Sequence, residues 1–302
     1  MRAKEEADRA ASAETVHFRN QLLASLPSDE LAVIVPHLER VALERRELLH
    51  DAQRRITHVY FIEDGIASIL SVVGDGSAVE TATIGYEGLI GFEVFHGVYV
   101  TPEQAMMQVP GVAHRVRAET FRELLPRLPT LQTYLHRFSV YLFTLAAQNS
   151  GCNRKHSVEE RCARWLLTVH DRVDSDEIGL THDFISQMLG VRRASVTDTL
   201  GVLEKGGLIR AGRNKITVTD RAGLERVVCE CYRIIRSTAE RLLEGRPSPN
   251  PLDRIETARD GFSTVGDGTP IARSLDEPGG GVRGSRGDDA PQLDGPARSA
   301  EP

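Results

Sequence analysis

Cysteine is scarce: the chain of 302 residues has 4, too few for a disulfide scaffold at this length. Long apolar runs are missing too. None approaches the ~20 residues that a bilayer-crossing helix needs. The N-terminal MRAKEEADRAASAE is charged and has no hydrophobic centre, so it does not resemble a secretory signal. These absences predict a cytoplasmic protein with reduced thiols and no membrane partner. A large excess of one charge is also absent. The formal net charge is -6, so any anion-binding face must be local. There is no Gly-x-x-x-x-Gly-Lys phosphate loop, no Gly-x-Ser-x-Gly elbow and no His-Glu-x-x-His pair. The 10 histidines are scattered, and His156 and His170, on or beside one amphipathic helix, read as capping or surface groups. No enzyme activity, cofactor or bound metal is expected.

What is present suits a folded protein of about two domains, with 40% hydrophobic and 26% charged residues. FRNQLLASLPSDELAVIVPHLERV holds two amphipathic pieces around a Leu-Pro-Ser break. Strand material follows. VYFI ends at the turn signal Glu63-Asp64-Gly65, IASILSVV at the hairpin signal Gly74-Asp75-Gly76, and SAVETATI at Gly85. Strands with turns this short imply an antiparallel roll or sandwich. A further strand pair is predicted in QAMMQVPGVAHRVRA, and RAETFRELLPRL closes the unit as a helix. From Arg246 to Pro302 the chain is rich in Gly and Pro, with Phe262 as its one aromatic. That composition predicts a disordered tail.

Pro129 suits the first position of a helix, where a missing N–H costs nothing. Leu128, Leu131, Leu135, Phe138, Leu142, Leu145, Asn149 and Cys152 then recur at alternating steps of three and four, a heptad seam. From spacing alone, the seam either pairs with a second helix or packs on its own roll. Asn149 either sets the register of such a pair or is solvated near the helix end. HSVEERCARWLLTVHDRV is a new amphipathic helix, with Val158, Cys162, Trp165, Leu166 and Val169 on one face. Then comes GLTHDFISQMLGVRRASVTDTLGVLEKGGLIRAGRNKITVTD. Thr181 is placed as an N-cap, and Ile185, Met188 and Leu189 form the buried stripe of a short helix. Ser186 is small where two helices meet, and Gly190 permits a turn. Val196, Leu200 and Leu203 anchor a second helix. The pattern fits a helix-turn-helix, and strands LIRA and ITVT around the polar turn GRNK add a wing.

VYFIEDGIASIL with IGYEGLIG resembles the cyclic-nucleotide-binding roll of the Crp/Fnr family of bacterial transcription regulators, over roughly residues 20–128. The order helix, helix-turn-helix, wing over roughly residues 154–225 is similar to that family's DNA-binding domain. The resemblance implies an α+β fold: an antiparallel β-roll (cyclic-nucleotide-binding-like) with a long dimerisation helix, followed by a winged helix-turn-helix. The expected divisions are a disordered N-terminus (1–16), sensor roll (17–128), dimerisation helix (129–153), winged domain (154–225), C-terminal helix (226–245) and disordered tail (246–302). It also implies a homodimer formed through residues 128–152, a roughly palindromic double-stranded DNA site, and RNA polymerase as a further partner.

With Val196 inward, Arg192, Arg193, Ala194, Thr197, Asp198 and Gly201 face outward on the second helix. Arg193 can bond a guanine edge bidentately, and Asp198 either accepts from a cytosine amino group or orients Arg193. Arg192, Ser195, Arg213 and Lys215 suit phosphates, and Thr181 and Thr197 complete the expected DNA-contacting set. The plainer alternative is that the two arginines are solvated surface groups. The family's usual Arg-Glu-x-x-x-Arg reading pattern is altered, with Ala194 in the place of the Glu and Asp198 in that of the second Arg, which implies a different operator.

In relatives that bind a cyclic nucleotide, a Gly-Glu turn starts a short helix and an Arg-Ser/Thr-Ala triplet holds the phosphate. The matching segment here is GYEGLIGFEVF, with Glu87, Gly88, Gly91 and Glu93, and the triplet's place is taken by Glu103-Gln104-Ala105. The resemblance therefore nominates Glu87, Gly88, Gly91 and Gln104 as ligand-site residues. A carboxylate at Glu103 repels a phosphate, so the roll is expected to be empty or repurposed, not responsive to cAMP. The alternative has Arg115 or Arg117 serving instead. No cysteine precedes Cys152, which argues against the family's N-terminal iron–sulfur sensing. Cys229 and Cys231, two apart on a predicted helix, point to different faces, a poor arrangement for one metal. Cys152 and Cys162 read as seam and core residues, with reversible thiol oxidation as the alternative. A reading of another class is a small-molecule sensing module whose winged domain contacts protein rather than DNA; steep salt dependence would separate the two.

Overall fold

The computed structural model describes residues 17–74 and 78–243. The expected disordered segments 1–16 and 246–302 lie outside them. Two short helices, α1 (Gln21–Ala24) and α2 (Ser28–Ile34), flank the Leu-Pro-Ser break and lead into a 6-stranded antiparallel sheet. Its strands are β1 (Glu39–Leu43), β2 (Leu48–His50), β3 (His58–Val72), β4 (Ala78–Ile84), β5 (Leu89–Ile90) and β6 (Glu103–Arg117). The order is β1-β6-β3-β4, with β2 on β6 and β5 on β3. Helix α3 (Ala118–Leu124) closes the roll.

Two sequence expectations change here for one reason. Glu63-Asp64-Gly65 does not end a strand, and QAMMQVPGVAHRVRA is not a strand pair. Each lies within a 15-residue strand, β3 or β6, and the two strands pair from His58↔Arg117 to Ser71↔Glu103. The turn residues form bulges instead. The register slips between Ile62 and Ala67, where Gly65 adopts φ 81°. A Cβ on Gly111 opposite would lie 2.0 Å from the Asp64 carbonyl oxygen, so only glycine allows that approach. Pro110 sits in the same irregular stretch, where the ladder asks no N–H of it. The expected hairpin does form, with Val72 opposite Ala78.

Helix α4 (Pro129–Lys155) begins at Pro129 as expected. Its heptad seam is buried within this one chain: Leu128, Leu131, Leu135, Phe138, Leu142, Leu145, Asn149 and Cys152 are all buried. Of the two readings open from the spacing, the seam therefore takes self-packing. Asn149 neither faces a second copy nor is solvated; its Nδ2 donates to the Thr81 carbonyl on β4 at 2.8 Å. The large apolar residues that α4 leaves exposed are Val140 (54%) and Phe143 (76%), on another face.

The second half starts with α5 (Val158–His170), capped by a reciprocal Ser157–Glu160 box. A two-residue strand β7 (Glu177–Ile178) follows, in a stretch that reads from sequence as a plain polar break. Then come α6 (His182–Leu189), α7 (Arg193–Lys205), β8 (Ile209–Gly212), β9 (Lys215–Val218), α8 (Arg221–Val227) and α9 (Cys231–Leu243). The wing sheet has order β7-β9-β8. Ile66, Leu70 and Met106 of the roll join Trp165, Leu166, Ile185 and Met188 in one apolar core. No helix among the described residues is long and apolar enough to cross a membrane. The architecture is α+β, a β-roll and long helix followed by a winged helix-turn-helix.

Candidate nucleic-acid interface

The Thr181 hydroxyl accepts from the Phe184 N–H at 3.1 Å and caps α6. Phe184, Ile185, Met188 and Leu189 bury that helix's inner face; Phe184, one turn before Met188, extends the expected stripe. Gly190 ends α6 in the left-handed region, φ 62°, and the Val191 N–H bonds back to the Ser186 carbonyl at 3.0 Å. The turn thus delivers α7 with Val196, Thr199, Leu200 and Leu203 inward. Arg192, Arg193, Ala194, Thr197 and Asp198 are exposed, and Ser195 and Gly201 are half-buried.

Arg193 meets a carboxylate, but not Asp198. Its Nε lies 3.1 Å from Oδ1 of Asp183 on α6, with the two side chains 66% and 68% exposed. A pair this open is worth little in water, so an incoming anion or base edge can displace it. The Thr197 hydroxyl donates to the Arg193 carbonyl at 3.2 Å and sits 3.0 Å from His182 Nδ1, which fixes its rotamer. At the wing, the turn between β8 and β9 is Arg213-Asn214, with Asn214 at φ 65° and Arg213 exposed. Lys215 Nζ is 2.7 Å from Glu177 Oε2 on β7. The helix start and the wing tip therefore both offer guanidinium groups to solvent, which is the arrangement a duplex groove and its flanking phosphates require.

The segment nominated in the roll behaves in the opposite way. Glu87 is buried, and its Oε1 accepts from Arg172 Nε at 2.9 Å and Nη2 at 2.7 Å. Burial disfavours the Arg172 charge, but the Glu87 carboxylate more than offsets this and holds the guanidinium above its usual range. Arg172 follows α5, so its pair with Glu87 fastens the winged half to the roll. A second buried carboxylate does the same: Glu80 on β4 accepts from Trp165 Nε1 at 3.0 Å and from the Ser68 hydroxyl at 2.6 Å. Gly88 is a packing glycine, since a Cβ there would come within 2.4 Å of the Phe138 ring. Gly91, φ 85°, starts a short 3-10 helix, Phe92–His96. Gln104 Nε2 donates to Asp51 Oδ1 at 2.9 Å.

Glu103 accepts from the Thr101 hydroxyl. Nearby Glu93 is pushed up to about 7 by burial and by the charge of Glu103, against an opposing backbone hydrogen bond. Arg115 lies toward the other end of β6 and pairs with Glu39 at 2.9 Å, and Arg117 ends that strand opposite His58.

Residues 160–227 match the family model of the Crp-like helix-turn-helix domain. This is a Crp/Fnr-type regulator fold. Solved structures agree across the roll and the winged half. A protein of Eubacterium rectale described as a transcriptional regulator of the Crp/Fnr family is 17% identical, with a TM-score of 0.55 over 68% of this chain and 96% of that one. FixK2 of Bradyrhizobium japonicum is 16% identical, TM-score 0.55, over 64% and 98%. A Crp/Fnr-family regulator of Thermus thermophilus is 20% identical, TM-score 0.51, over 63% and 97%. No curated protein sequence matches the chain significantly.

One correction concerns the cysteines. Cys229 and Cys231 do not stand on two faces of a helix, because α9 begins only at Cys231. Cys229 lies in the bend after α8, and both thiols turn toward Cys152 and His156 at the end of α4. His156 takes the C-cap position of α4, its N–H bonding to the Cys152 carbonyl at 3.0 Å, and its half-buried ring also belongs to this cluster. Cys162 is a core residue as expected.

Proposed function

We propose that the chain is a sequence-specific, DNA-binding transcription regulator with a binding role rather than a catalytic one. The observation that carries this reading is the exposure of Arg192 and Arg193 at the start of α7, beside the exposed Arg213 of the wing. Arg193, once released from Asp183, reads a base edge; Arg192, Ser195, Arg213 and Lys215 hold phosphates. Residues 17–128 form the sensing roll and 154–225 the reading domain. The roll does not answer cAMP: Glu87 is engaged by Arg172, and Glu103 takes the place that the resemblance gives to a phosphate-holding arginine.

The functional unit is a homodimer through residues 128–152, on a roughly palindromic site with half-sites about 34 Å apart. The contact face is the exposed one, with Val140 and Phe143, because the heptad seam is already buried. At a promoter the bound dimer meets RNA polymerase. Selection from random duplexes tests the reading directly: a palindromic consensus, bound with a steep fall as salt rises, is expected. Salt-insensitive or non-palindromic binding would overturn it, the former in favour of a protein-contacting winged domain. Phe143→Glu should convert dimer to monomer in sedimentation, and a dimer unaffected by it places the contact elsewhere. Calorimetry with cAMP should show no binding.

A further inference from the structure

Away from the DNA-reading surface, four ligand-type side chains converge where α4 ends and α9 begins. Cys152 and His156 stand one helical turn apart on and just after α4; Cys229 and Cys231 flank Glu230 at the entry to α9. Their ligand atoms all lie within 4.8 Å of one another. Cys152 Sγ is 3.6 Å from Cys229 Sγ, and Cys231 Sγ is 3.5 Å from His156 Nδ1. A tetrahedral ion with metal–sulfur bonds of ~2.3 Å has ligand–ligand edges of about 3.8 Å. We propose that Cys152, His156, Cys229 and Cys231 form a closed Cys3His site for one thiophilic divalent cation of the zinc class.

The surroundings are those of a ligand set. His156 Nε2 lies 3.3 Å from Glu230 Oε1, an outer carboxylate that would hold the ring with Nδ1 toward the sulfurs. Gln148 Nε2 donates to Cys231 Sγ at 3.0 Å, a bond that suits a thiolate. Three thiolates and a dication leave one negative charge. Two buried guanidiniums answer it: Arg161 and Arg164, each with a buried Nε that has no partner among the described residues. Three sulfurs exclude hard cations such as magnesium and calcium. Four protein ligands leave no open position, so the site is structural. Binding transfers no electrons: three S–H bonds release their protons to solvent, three metal–sulfur bonds form, and the neutral imidazole adds the fourth.

The site's position gives it a consequence. It joins the end of the long helix to the C-terminal helix at the hinge, residues 155–158, through which the winged half is attached. Loading would lock that hinge. The proposal stands independently of the DNA-binding reading.

The test uses the full chain, purified under reducing conditions from zinc-supplemented cells. Elemental analysis should find about one zinc per chain. After chelation, cobalt(II) should restore thiolate charge-transfer bands and the intense visible bands of a tetrahedral ion. Cys162→Ala, which removes the one cysteine outside the cluster, should retain both signals. Glu230→Gln, at an exposed position that folding does not need, should weaken zinc roughly 10- to 100-fold by chelator competition. Well under one metal per reduced, reconstituted chain would overturn the site, as would octahedral cobalt without sulfur bands. Full loading of Cys229→Ser, or a metal-free Cys152–Cys229 disulfide in the reduced preparation, would do the same.

Discussion

The start of α7 and the Glu87–Gln104 segment of the roll were both picked out by pattern, and the fold treats them differently. At α7 the turn at Gly190 brings the helix start to the rim, where both arginines are exposed and Arg193 pairs with Asp183. In the roll, Glu87 faces Arg172, Gly88 faces Phe138, and Gly91 takes the backbone angle of a tight turn. A motif keeps a ligand-binding role only where its surroundings leave its polar atoms free. The roll's segment forms part of the joint between the two halves, through the Glu87–Arg172 pair.

That contrast can be broken most forcefully at the joint. Arg172→Ala leaves Glu87 buried without its partner and should cost about 3–5 kcal/mol in urea unfolding. An unchanged midpoint would mean that Glu87 is available to a ligand after all. On the reading side, Arg193→Ala should lose about 1–3 kcal/mol at one base position and leave the others alone. A uniform loss over all sequences would reduce Arg193 to a phosphate contact and blunt the difference between the regions.

Glu93 offers a pH-dependent test of comparable size. Its carboxyl is raised from 4.5 to about 7 by burial, so its support for folding is complete below the unfolded value and is lost as pH rises through about 7. Glu93→Gln should therefore leave stability unchanged near pH 4 and raise it on the order of 1–3 kcal/mol above pH 7, measured by denaturant midpoints. No gain at high pH would mean that the pocket is wet and open to small molecules. The smallest effect is expected at the wing: Arg213→Ala should weaken all duplexes alike and lower the salt slope by about 1.

Much of this was legible in the chain. The winged helix-turn-helix was, because its signals are local: a threonine cap, a glycine at the turn and apolar steps on each helix. The heptad seam of α4 was legible as a stripe but not as a partner, since periodicity says that a face is buried and not by what. Glu63-Asp64-Gly65 was misread because glycine's positive φ serves a bulge as well as a reversal. The cysteine cluster was missed over one helix boundary, the class of feature that sequence patterns place least well. β7, at two residues, is too short to carry a period.

The chain alone determined where most of the helices lie, which stripes are apolar, and that two arginines open the second helix of a winged motif. These follow from backbone preference and short-range spacing. Only the tertiary structure decided that α4's seam faces its own roll, that Glu87 meets Arg172, 85 residues away, and that cysteines 77 residues apart come within 3.6 Å of each other. Those pairings depend on how distant surfaces fit and exclude water, and no local run of residues encodes that.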